Sequence, residues 1–409
     1  MVRVLIVDDS AFMRRSLEAI LSRSPDIEVA GTASNGLEAI AKVKELDPDV
    51  VTLDIEMPRM DGVTALQHIM DESPVPVIMI SSLTQEGAEV TLRALDIGAQ
   101  DYVPKINSTT LPAMEEFGQD LVDKIRALAR RKSILKIIYK HKAKERQRAS
   151  SASSATGAPA RPATSTARLL NKPSPRLASP VGGDFRSGQG HLFPASTETD
   201  ADPAPSLPGG LVAPLRAGRR PFDVVAIGVS TGGPPAVQKV LTALPENFPV
   251  PIVIAQHMPA SFTGPFANRL NALCSLKVKE AEKEEKLLPG CAYVCPGGKH
   301  LRVELKGGVL VARVTEEPKE ALYKPSANVL METTGLALGR RSLGVILTGM
   351  GSDGADGARI LKEKGGTMLA QSEESCVVYG MPKAIVDNNL ADAVITIDDM
   401  STALMRYCC

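Results

Sequence analysis

The stretch Phe222–Leu241 constrains this 409-residue chain more than any other. Val224 to Ile227 is a short apolar run that reads as a buried strand, and Ala236 to Leu241 reads as an amphipathic helix. Between them Gly228-x-Ser230-x-Gly232 can turn sharply, because glycine tolerates the backbone angles and close approach that such a turn demands. A serine there is lifted to the carboxyl end of a sheet, beside the free N–H groups of a helix start. A nucleophile and an oxyanion site can be built together at such a point.

Strand and helix also alternate at the other end of the chain. Over residues 1–125 the pattern predicts strands at 2–7, 49–53, 75–80 and 101–103, with helices near 12–21, 37–43, 63–70 and 88–95. A helix is expected from Leu111 to about Arg148, with Leu121, Ile125, Leu128, Leu135 and Ile138 as its apolar stripe and a basic extension over 126–148. Residues 149–220 are rich in Ala, Ser, Pro and Gly and lack apolar periodicity, so they read as a disordered tether. A second alternating domain spans 221–409, with strands expected at 224–227, 252–255, 292–294, 302–305, 309–312, 344–348 and 367–370. The expected fold class is α/β, with two doubly wound, mostly parallel sheets joined by the basic helix and tether.

The formal net charge of +0 hides a segregation. Residues 1–125 carry 10 Lys and Arg against 22 Asp and Glu, residues 126–220 carry 18 against 5, and residues 221–409 carry 19 against 20. The basic connector has few aromatics for stacking on bases, so a solvated tether resting on the acidic domain is expected rather than a nucleic-acid site. Met1 to Val7 runs straight into Asp8-Asp9 without a leader pattern, and no apolar run approaches a membrane span, so a cytoplasmic protein is expected. The six cysteines lack disulfide regularity; Cys291-x-x-x-Cys295 is too isolated for a zinc site, and Cys408-Cys409 is weak evidence for lipidation.

Asp8 and Asp9 end the first strand of the acidic domain and Asp54 the third, an oxygen cluster suited to Mg²⁺, a hard cation. Ser81 ends the next strand and Lys105 the last, where a hydroxyl and an ammonium could clamp a phosphoryl group carried by Asp54. In the second domain one strand ends in Gln256-His257-Met258-Pro259, and another in Gly349-Met350-Gly351-Ser352-Asp353-Gly354. Three strand ends thus deliver a serine, a histidine and an aspartate, the set in which imidazole takes the hydroxyl proton and a carboxylate orients the imidazole. His300 is the rival histidine and Asp356 the rival acid, although Asp356 looks like a dipole-compensating residue at a helix start.

Two resemblances follow. Asp8-Asp9, Asp54 with Pro58, Asp61 and Gly62, Ser81 and Lys105 resemble the receiver domain of bacterial response regulators over residues 1–125. That implies phosphate acceptance by Asp54, with Asp8, Asp9, Asp54 and the backbone carbonyl of Glu56 as metal ligands. The family usually has proline after the lysine; here Ile106 follows, and because a cis bond to a non-proline residue costs about 2.5–4 kcal/mol, a trans 105–106 bond is expected. Residues 222–409 resemble the catalytic domain of the chemotaxis protein-glutamate methylesterases, the CheB family. The matching runs are 227–234, 256–259, 296–301, 344–355 and 378–382.

The resemblance implies that Ser230 is the nucleophile, His257 the general base and acid, Asp353 the orienting carboxylate and the N–H of Met350 an oxyanion donor. It implies hydrolysis of glutamate methyl esters and deamidation of certain glutamines on chemoreceptors, with a histidine kinase as phosphodonor. Mg²⁺ belongs to the receiver and no cofactor to the ester chemistry; no nucleic acid or membrane insertion is implied, and a monomer is expected. The unphosphorylated receiver is expected to cover the Ser230 cleft. Asn328 stands where the family tends to have aspartate, with an expected effect on substrate contacts, and the tether looks longer than is common. A non-enzymatic adapter, a DNA-binding regulator and an esterase with a non-receptor substrate are the competing readings.

Overall fold

The computed structural model describes residues 1–105, 111–137, 139 and 222–409. Its first sheet holds β1 (Val2–Val7), β2 (Ile27–Ala33), β3 (Val50–Asp54), β4 (Val77–Ser81) and β5 (Asp101–Pro104) in the order β2-β1-β3-β4-β5. All pairs are parallel, and the order reverses between β1 and β3, where a crevice opens at the carboxyl ends of the strands. Every residue of β3 and β4 is buried, as parallel strands covered on both faces require.

Helices α1 (Ala11–Leu21), α2 (Gly36–Leu46), α3 (Gly62–Glu72) and α4 (Gln85–Ile97) connect these strands. Each begins at a side-chain cap: Ser10, Asn35, Asp61 and Thr84 accept from the backbone amide three residues on. Strand β2 was not anticipated, because its inner positions are half-exposed and its sequence breaks the apolar run with Glu28 and Gly31.

The long basic helix is shorter than expected. Helix α5 (Leu111–Ala129) stops at a turn over 130–131, and α6 resumes over 132–137. At the turn the Arg131 N–H reaches back only three residues, to the Leu128 carbonyl, which redirects the chain while Leu128 and Leu135 both stay buried. The basic side chains rest on the acidic domain: Lys132 lies 3.1 Å from Asp47 and 3.2 Å from Asp49, and Lys136 lies 3.0 Å from Asp47. The remainder of the expected helix to Arg148, the 105–106 bond and the tether over 149–220 lie outside the described residues.

The second sheet has seven parallel strands in the order β15-β14-β13-β6-β7-β10-β8. These are β6 (Val224–Val229), β7 (Ile252–Gln256), β8 (Lys277–Glu280), β10 (Cys291–Val294), β13 (Ser342–Ile346), β14 (Thr367–Gln371) and β15 (Ala393–Ile395). Strand β6 lies between β7 and β13, so the ends of these three strands share one rim. A small antiparallel sheet joins β9 (Glu284–Lys286), β11 (His300–Lys306) and β12 (Val309–Thr315); strands were expected at 302–305 and 309–312, whereas β9 was not. The helices are α7 (Gly233–Thr242), α8 (Ala260–Leu273), α9 (Ala327–Leu338), α10 (Ala355–Glu363), α11 (Met381–Asp387) and α12 (Met400–Cys408). Among the described residues no helix is long and apolar enough to cross a membrane.

Both sheets belong to one compact unit. Tyr102 of β5 stacks on Phe262 of α8 with ring centroids 4.7 Å apart and planes 5° from parallel. Asp96 of α4 pairs with Arg269 of α8, and Val377 and Val378 pack on the core of the first sheet. Phe262 is fully buried at this junction, so Phe262→Ala should cost about 3–5 kcal/mol in a denaturant titration of the whole chain. A loss below about 1 kcal/mol would contradict this packing.

Candidate active site

The chain leaves β6 at Val229 and turns into α7 at Gly232, whose φ of +72° a residue with a side chain rarely adopts. A Cβ on Gly232 would also stand 2.3 Å from the Val377 side chain, so the turn requires glycine twice over. Within it the Ser230 N–H donates to the Thr348 carbonyl at 3.0 Å, and the Ser230 carbonyl accepts from Gly233 at 2.8 Å. His257 begins where β7 ends, its N–H donating to the Val229 carbonyl at 3.1 Å. The Gln256 amide donates to the carbonyls of Ser230 and His257, at 3.0 and 3.1 Å, and staples the serine loop to the histidine loop.

The His257 Nε2 lies 2.8 Å from Asp353 Oδ2, a contact between residues 96 positions apart. With Nε2–H donating to the carboxylate, Nδ1 is the nitrogen left to accept a proton. The ring stacks on Tyr323, centroids 4.2 Å apart at 12°, which fixes its plane. Asp353 is buried at the first turn of α9, where it accepts from the Ser326 hydroxyl at 3.0 Å and the Ala327 N–H at 2.6 Å. Burial alone would raise its carboxyl pKa; the bond and charge of His257 and the α9 amides outweigh it and hold the group below the usual carboxylate range.

Ser230, His257 and Met350 line one cleft of about 360 Å³, whose far wall is built by Tyr102, Asp120 and Lys124 of the first domain. Among the described residues the Ser230 hydroxyl makes no hydrogen bond to the imidazole, an arrangement common before substrate tightens the contact. The rivals are elsewhere. His300 is fully buried with Nε2 3.1 Å from the Pro318 carbonyl, and burial lowers its pKa. Asp356 is exposed on α10 and pairs with Arg359. Gln256, Tyr323 and Ser326 were not singled out from the sequence. Gln256 stood beside His257 in a matched run, whereas a loop tyrosine carries no pattern that marks it.

The acidic crevice is assembled at the other sheet. Carboxylate oxygens of Asp8, Asp9 and Asp54 lie within 4.8 Å of one another. The Lys105 Nζ is 2.7 Å from Asp54 Oδ2 and 3.6 Å from Asp8 Oδ2. Burial raises the Asp54 pKa to about 6, with the Asp8 charge adding to it and Lys105 opposing both. Asp8 Oδ2 is buried with no hydrogen bond and only the longer ion pair to Lys105, and three crowded carboxylate donors of this kind fit a hard divalent cation. Glu56 lies in the exposed loop after β3. Ser81 is buried, and its hydroxyl accepts from Thr91 at 2.5 Å and contacts the Gly87 carbonyl at 3.3 Å, facing α4 rather than the carboxylates.

Comparison with known proteins agrees with both halves. The CheB methylesterase family matches residues 225–404, and the response regulator receiver domain matches residues 4–114. The protein-glutamate methylesterase/protein-glutamine glutaminase 1 of Oleidesulfovibrio alaskensis is 52% identical over 412 residues, covering 99% of each chain. The corresponding protein 2 of Nitratidesulfovibrio vulgaris is 50% identical over 406 residues, again 99% of each. The crystal structure of the Thermotoga maritima CheB methylesterase catalytic domain is 38% identical, with a TM-score of 0.44, covering 45% of this chain and 97% of that one. With relatives of this identity spanning its whole length, a receiver sheet in front and a methylesterase sheet behind, the chain belongs to the CheB family of protein-glutamate methylesterases/protein-glutamine glutaminases.

Proposed function

We propose that Ser230, His257 and Asp353 are the nucleophile, the general base and acid, and the orienting carboxylate of this methylesterase. The observation that carries the reading is the 2.8 Å contact with buried Asp353 made by His257, which lines the same cleft as Ser230. His257 Nδ1 takes the hydroxyl proton as Ser230 Oγ attacks the methyl ester of a receptor glutamate, and Asp353 stabilises the imidazolium. The oxyanion is met by the N–H of Met350. The ester C–O bond breaks, the proton passes from His257 to the departing methoxide, and methanol leaves an acyl-enzyme. Water then attacks with His257 again as base, releasing the glutamate carboxylate and the Ser230 hydroxyl. A glutamine side chain follows the same route with ammonia as the leaving group, which accounts for both names in the family.

The substrate is a methylated chemoreceptor, and the reaction runs in the cytoplasm. Control comes from Asp54, which accepts a phosphoryl group from a histidine kinase; Ser81 would have to turn from α4 to join Lys105 in holding it. Asp8, Asp9, Asp54 and the Glu56 carbonyl would hold Mg²⁺, which supplies positive charge against the phosphoryl oxygens when bound. The presence of Tyr102, Asp120 and Lys124 in the wall of the Ser230 cleft supports a closed resting state in which the receiver limits access. Lys124 is central to that wall: it pairs with Asp120 at 3.2 Å and Asp101 at 3.4 Å and donates to the Tyr102 carbonyl at 2.8 Å.

Ser230→Ala should lower methanol release from radiomethylated receptor membranes by roughly 10³-fold or more; retention of activity ends the assignment. A small phosphodonor should activate wild type and leave Asp54→Ala unchanged, and equal responses in the two would exclude control through Asp54. Lys124→Ala leaves the buried Asp101 and the half-buried Asp120 carboxylates without their shared cation, so unphosphorylated activity should rise about five-fold or more and the phosphodonor response should shrink. An unaltered basal rate would show that this wall does not limit access.

A further inference from the structure

We infer that Asn328 is a positioning residue for Asp353, acting across two helix starts rather than on the substrate. The inference rests on the triad reading. Helix α10 begins at Gly354, which has no side chain to cap the free amides of the first turn. The Asn328 side chain from α9 fills that role from outside: its Oδ1 accepts from the Gly354 N–H and the Gly357 N–H, each at 2.9 Å. In return the Asn328 N–H donates to Asp353 Oδ1 at 3.1 Å. The two helix starts are therefore laced in both directions, with Asp353 between them.

The lacing is close. A Cβ on Gly357 would stand 2.1 Å from the Asn328 carbonyl oxygen, so α10 meets α9 at backbone contact here. Gly354 has a φ of +101° and directly follows Asp353, so the amide that Asn328 holds sets the plane in which the carboxylate is presented. A residue at 328 needs one acceptor oxygen of this reach, and the oxygen need not be an amide's. The expectation that Asn328 acts through substrate contacts is thereby replaced by a contact with the loop that carries Asp353.

The test is steady-state methanol release by the full-length chain on radiomethylated receptor membranes. Asn328→Ala should lower kcat by about 10- to 100-fold with KM essentially unchanged, the cost of a catalytic group displaced on the order of 1 Å. Asn328→Asp, which keeps the acceptor, should restore kcat to within about three-fold of wild type. Amide hydrogen exchange at Gly354 and Gly357 should quicken by about ten-fold or more in Asn328→Ala and stay slow in Asn328→Asp. Should Asn328→Ala not fold, Asn328→Ser, too short to reach both amides, should show the same kcat loss. A raised KM at unchanged kcat, or an Asn328→Asp as impaired as Asn328→Ala, overturns the inference. If Ser230→Ala keeps activity the triad reading fails instead, while the exchange measurement still reports on the lacing.

Discussion

One buried carboxylate holds the rim of the second sheet together. Asp353 sits among apolar and backbone groups where an unpaired charge would cost several kcal/mol, so its position is only tenable while every lone pair is engaged. Two donors reach each oxygen: His257 and the Ala327 N–H on one, the Ser326 hydroxyl and the Asn328 N–H on the other. Three of the four come from the start of a single helix, whose dipole also favours the negative form. The imidazole is thus held by a group that has no alternative place to go. The serine and histidine loops need less, because β6 and β7 already lie side by side and the Gln256 amide joins their ends.

Much of this was legible in the sequence because parallel α/β architecture converts order along the chain into position in space. An apolar run followed by a polar loop marks a strand's carboxyl end, and adjacent strands bring those ends to one rim. Asp8, Asp54 and Lys105, and Ser230, His257 and Asp353, were all picked out as strand-end residues by that rule, and the structure brings Lys105 to Asp8 and Asp54 and His257 to Asp353. The rule fails where a strand is short, largely charged or partly solvated. Lys277–Glu280 and Glu284–Lys286, mostly charged and without an apolar run, were not among the expected strands, yet both pair in sheets. It also fails for groups that serve a site from a different element. Tyr323 and Ser326 reach His257 and Asp353 from the segment before α9, and nothing in their local pattern announces the partner.

The basic helix shows a further limit. A continuous apolar stripe from Leu121 to Leu135 reads equally well as one helix or as two with a turn, since burial is satisfied in both cases. Just past the turn at 130–131 the chain meets the acidic surface of the first domain, where Lys132 and Lys136 settle against Asp47 and Asp49. Periodicity reports which face is covered and says nothing of where the covering surface ends.

Strand β5 carries Tyr102, stacked on Phe262, and ends beside Lys105, bonded to Asp54. Three residue steps of backbone, about 10 Å, therefore separate the Cα of Lys105, at the acidic crevice, from that of Tyr102, whose ring packs the receiver on the esterase. Lys105 and the ring stack are thus joined along one short strand, with no loop of chain between them.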